Sequence, residues 1–228
     1  MDFNDLQDIM SVKRMERFNL SMGSNPIRAA ELYKSNLLLS RELFTVVGCF
    51  EVALRNRIDR LFISRYGNDW LRDSAAAGGM FDNQDCVKSK ELISSSYRKL
   101  GTLNYTHAKL IAEMDFGFWR YLFAGPQYIA AQRCLLQVFP FKPRSTREIT
   151  YNQRFVFLLL GEINSLRNRL AHHEPVCFIL GQPIKNTAYS RRNYNLIIQV
   201  FSWMGINGQV LLDEVADIVS ICNEIDAL

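Results

Sequence analysis

Only three histidines occur in 228 residues, and no cysteine pair has the C-x-x-C spacing of a zinc or redox site. The five cysteines (Cys49, Cys86, Cys134, Cys177 and Cys222) lie far apart in apolar or mixed surroundings, the pattern of reduced thiols. Neighbouring residues on a helix point apart, so the run His172-His173-Glu174 does not converge on one ion. No metal and no cofactor are expected. Phosphate-cradling glycine loops are missing too: neither G-x-x-x-x-G-K-[ST] nor G-x-G-x-x-G occurs, which argues against an enzyme of free nucleotides. No run reaches the roughly 18 apolar residues that span a bilayer. The opening MDFNDLQDIM is too acidic and polar for a secretory signal. A soluble, cytoplasmic protein without membrane contact is the expectation. Proline, serine and glycine nowhere gather into a linker, no period repeats, and no segment alternates as a strand would.

What the chain does have is apolar material: 48% hydrophobic and 12% aromatic residues, incompatible with disorder and enough for a core. The net charge of +4 does not identify a nucleic-acid partner, but arginine outnumbers lysine 19 to 8. Guanidinium groups suit phosphate contacts and ordinary salt bridges alike. Apolar spacing is helical almost throughout, so the class expected is all-α, a bundle. Helices are predicted over 5–18, 26–66 with Gly67 as stop, up to 100 after a loop at 75–83, then 106–114, 117–123 and 127–138. Residues 145–148, STRE, have the form of a capping box opening a long helix that Pro175 ends. Two further helices are predicted over 187–204 and 209–225.

The stretch SLRNRLAHHEP (165–175) carries the chemistry of most interest. At about 100° per residue, Asn168 and His172 share one helix face, while Leu166 and Leu170 form a separate buried ridge. Arg167 projects to the side, within reach of the same patch. This set suits RNA transesterification. Imidazole, with an ordinary pKa near about 6.5, can take a proton from a 2′-hydroxyl or give one to the leaving 5′-oxygen. An arginine stabilises the extra charge of the phosphorane, and an asparagine can orient phosphate or imidazole. One histidine serves one proton transfer, so a two-fold dimer would supply both. The plain alternative is a helix end whose dipole favours cations. His107 is expected to be a polar residue starting a helix, and FGFWRYLF (116–123) to be core.

RNRLAHHEPV is similar to the C-terminal signature of Abi-like proteins, the abortive-infection group of the HEPN superfamily, helical domains that typically carry R-x4-6-H. Arg167, Asn168 and His172 match as R-N-x3-H. ELYKSNLLLSRELF, FEVALRNRIDRLF, YGNDWL and FGFWRYLF resemble the same family in the same order, so the likeness covers about residues 28–205. It implies a HEPN-type bundle over 1–228, with 1–25 as a helical extension. It further implies a metal-independent endoribonuclease, often a homodimer with a composite site, in antiphage or toxin–antitoxin defence, with an antitoxin or regulator possible. Arg167, Asn168 and His172 would be catalytic and His173 the reserve, matching R-x5-H. Arg55 and Asn56, in the earlier and histidine-free ALRNRID, would line an RNA groove, with Arg169, Lys109 and Arg154 as further RNA contacts. The alternative is a non-catalytic HEPN module binding RNA or a partner protein.

Overall fold

A computed structural model describes residues 2–228; residue 1 of the expected N-terminal extension lies outside the described residues. Among them the regular structure is helical, with one isolated bridge between Phe178 and Lys185 and no strand. In chain order the helices are α1 (Phe3–Met10), α2 (Val12–Ser21), α3 (Pro26–Tyr66), α4 (Trp70–Ala75), α5 (Val87–Leu100), α6 (His107–Ala112), α7 (Phe116–Tyr121), α8 (Gly125–Ala130), α9 (Gln153–Ala171), α10 (Ala188–Trp203), α11 (Gly208–Leu212) and α12 (Ile218–Ala227). Short 3-10 turns stand at Gln84–Cys86 and Leu135–Val138.

Four sequence-based boundaries need correction, three of them through side chains that capture backbone N–H groups. The single helix expected over 5–18 breaks at Ser11, whose φ of +82° ends α1 while its hydroxyl accepts the Arg14 N–H (3.3 Å) and caps α2. Ser145 and Thr146 do not open α9. Their hydroxyls accept from Tyr151 (3.0 Å) and from Glu148 and Ile149 (3.3 and 3.1 Å), which holds a loop. Asn152 is the cap, accepting the Phe155 N–H (3.0 Å), so α9 starts at Gln153 rather than at the STRE segment and is about 28 Å long at ~1.5 Å per residue. The helix expected over 127–138 stops after α8, where Gln132 and Arg133 take positive φ. The last one divides into α11 and α12, with Asp217 capping the second by accepting the Ser220 N–H (3.1 Å).

By contact density the chain forms two compact units. One comprises the segments up to Gly48, Ser165–Gln199 and Asn207–Leu228. Its core includes Met15, Phe18, Leu32, Leu39, Leu166 and Ile197. Phe18 is wedged edge-on against Tyr33 (5.1 Å between centroids) and Phe178 (5.0 Å).

The other comprises Cys49–Asn164 and Val200–Ile206. Phe50, Leu54, Ile58 and Phe62 repeat at four-residue intervals along α3 and are fully buried, as helical periodicity requires. Phe50 packs against Phe201 (5.4 Å) and Phe116 (6.0 Å), and Phe62 against Trp70 (4.5 Å). The aromatic α7 is core, as its composition predicts: Phe116, Phe118 and Trp119 are all buried.

Candidate active site

The motif closes α9. Leu159, Ile163, Leu166 and Leu170 bury one face of that helix and fix its rotation. The opposite face is thereby forced outward: Asn168 and His172 are exposed, and Arg167 beside them is half-buried. The His172 N–H donates to the Asn168 carbonyl (2.9 Å), which extends the helical bonding one residue past Ala171. Among the described residues the side chains of Arg167, Asn168 and His172 make no hydrogen bond or ion pair with protein. The arrangement presents a cation, an amide and an imidazole to solvent.

The turn that follows is held from several sides. His173 adopts φ +56°; its N–H donates to Leu170 O (3.0 Å) and the Glu174 N–H donates to Arg169 O (2.8 Å). This pair of bonds is a Schellman cap, with histidine in the left-handed seat that glycine usually takes. Arg14 of α2 donates from Nη2 to the His173 carbonyl. Asn36, 2% exposed, accepts the Val176 N–H (2.9 Å), and the Ser190 hydroxyl donates to Val176 O (2.7 Å). Both backbone groups of a fully buried residue are thus satisfied just beyond the motif.

Arg169, assigned an RNA contact from sequence, points at protein. Its Nη2 donates to Pro175 O (2.5 Å), its guanidinium lies 4.6 Å from the Tyr189 ring centre, and only 12% of the side chain is exposed. Its Nε stands 3.3 Å from Glu174 Oε2, an ion pair without hydrogen-bond alignment. Burial also pushes the thiol of nearby Cys177 up to about 12, which keeps it protonated and unreactive.

Arg55, Asn56, Lys109 and Arg154 belong to the other unit. Arg55 is half-buried, with its Nε shielded and lacking a hydrogen-bond partner. Asn56 and Arg154 are exposed, as is Lys109, whose Nζ donates to Asn104 O (3.0 Å). Sequence reasoning missed a cluster there. His107 Nε2 and Trp70 Nε1 both lie 2.7 Å from Asp59 Oδ1, with the histidine side chain only 16% exposed. No local pattern joins residues 59, 70 and 107, so no short-range signal could have found it. Beside it the Tyr105 hydroxyl donates to Asp69 (2.6 Å), and burial, then that bond, raise the phenol's pKa.

Among the described residues no group of three or more His, Cys, Asp and Glu is placed to hold a metal ion. No helix among them is long and apolar enough to cross a membrane. Fold and site together define an all-helical protein with an exposed histidine turn. Comparison with protein-family models, curated proteins and solved structures yields no match for the chain.

Proposed function

We propose that the protein is a metal-independent endoribonuclease of the HEPN type, Abi-like in its signature, acting in antiphage defence or as a toxin in the cytoplasm. The observation that carries this reading is the exposed, unpaired His172 beside Asn168 and Arg167, at a helix end buttressed by buried residues. A histidine serving only as a helix cap would gain by engaging protein carbonyls; this one leaves both ring nitrogens available.

In the reaction, His172 exchanges a proton with the 2′-hydroxyl or with the departing 5′-oxygen. The 2′-oxygen attacks the adjacent phosphorus, Arg167 stabilises the phosphorane and Asn168 orients it. The P–O5′ bond breaks, leaving a 2′,3′-cyclic phosphate and a 5′-hydroxyl. A homodimer supplies the second histidine, making the site composite. An antitoxin or other regulator restrains the activity in the host.

The test is cleavage of a mixed RNA pool in EDTA by wild type and His172→Ala at matched folding and oligomeric state. General acid–base catalysis is worth roughly 10²–10⁴-fold, so a loss of about that size is expected. Equal cleavage by both proteins sinks the reading. RNA binding without cleavage by either replaces it with a non-catalytic module.

A further inference from the structure

The Abi-like resemblance leaves residues 1–25 as an extension, yet α2 reaches the turn that carries the candidate histidine. Arg14 donates to the carbonyl of His173, the residue directly after His172. Three residues on, Arg17 donates to Ile179 O (2.9 Å) and, through Nε and Nη2, to Gln182 O (3.1 and 2.6 Å). Its guanidinium also lies 4.6 Å from the ring centre of Phe178. Next to Arg17, Phe18 locks α2 to Phe178 and Tyr33. One helix therefore grips the exit loop at its start and at its far end.

The two grips differ in consequence. The His172 ring has no side-chain partner among the described residues, so its place is set by the backbone of the turn alone. That turn carries a non-glycine residue at φ +56°, a conformation that persists only when its surroundings enforce it. Arg14 holds the carbonyl of that residue with a charge-assisted bond, at the negative end of the α9 dipole. Arg17 holds the loop six and nine residues further along.

We propose that Arg14 is a positioning residue of the nuclease site: from the N-terminal helix it fixes the His172 turn by holding the His173 carbonyl. The inference rests on the proposed function for its catalytic readout, but the clamp itself can be measured without RNA. The full chain is compared as wild type, Arg14→Ala, Arg14→Lys and Arg17→Ala, with amide hydrogen exchange at Glu174 followed beside RNA cleavage.

Small displacements of a reacting group are costly, so Arg14→Ala is expected to lower kcat about tenfold with KM little changed. It also accelerates exchange at Glu174. Arg14→Lys, which can still reach the carbonyl with a cation, recovers most of both. Arg17→Ala loosens the far end of the loop and leaves kcat near wild type. An unchanged kcat in Arg14→Ala, or an equal fall in Arg17→Ala, overturns the proposal. A wild type that cleaves no RNA defeats the nuclease reading instead, and exchange at Glu174 then decides the clamp: unchanged protection in Arg14→Ala removes it, faster exchange keeps it.

Discussion

The chain spells Leu-Arg-Asn-Arg twice, at residues 54–57 and 166–169, and buries the two copies identically: leucine inside, arginines half-buried, asparagine exposed, then a buried Ile58 or Leu170. Their surroundings nevertheless diverge. The first copy sits inside α3, which runs on to Tyr66, and the next residue, Asp59, is consumed by bonds from Trp70 and His107. The second reaches a helix end, and two residues past Leu170 stands an exposed histidine without a side-chain partner among the described residues. The histidine with an acidic partner, His107, is thus the sheltered one, while His172 and His173, with none among the described residues, face solvent. Proximity to a carboxylate marks structure here, and availability marks the candidate site.

That contrast can be broken most forcefully by moving the histidine. Arg60→His writes Arg-Asn-x3-His into the first copy. In a His172→Ala background it is expected to restore no cleavage, against a loss of about 10²–10⁴-fold from His172→Ala alone. Restored cleavage would mean that the letters suffice and the helix end does not matter.

Next in size is Asp59→Ala. It strands the indole N–H of Trp70 and the ring of His107, and each unsatisfied buried group costs about 1–3 kcal/mol. Thermal unfolding should shift down by several degrees while cleavage per folded molecule stays at wild type; a selective loss of cleavage would relocate the active site to this cluster.

A smaller and opposite effect is expected at His173→Gly. Glycine removes the left-handed strain of the cap, worth about 1 kcal/mol, and so raises the melting temperature by a few degrees. Cleavage should survive, whereas its loss would promote His173 from reserve to catalytic histidine.

Least affected is thiol chemistry. At pH 8 an alkylating reagent should modify the half-buried Cys49 first and Cys177 only on unfolding. Because burial raises the Cys177 pKa above its unfolded value, its contribution to stability is full below the ordinary thiol range and is lost as pH climbs towards about 12. A titration of stability between pH 8 and 11 that shows no such fall would contradict the burial argument.

Much of this was legible beforehand. Periodicity placed the long helix over 26–66, observed as α3, and the buried ridge of Leu166 and Leu170. It also implied that Asn168 and His172 would face away from that ridge, as they do. Short-range hydrogen-bond competition was harder to read: STRE looks like a capping box, yet Asn152 captures the helix start.

By itself, then, the sequence determined the helical class and which side chains of the motif lie outward, because both follow from a local repeat of about 3.6 residues. Only the tertiary structure decided that Arg169 turns inward onto Pro175 and Tyr189, that Asp59 is shared by Trp70 and His107, and that Arg14 closes on His173. Hydrogen bonds and buried charges take their partners from whatever the fold brings within about 3 Å, and sequence separation places no limit on that distance.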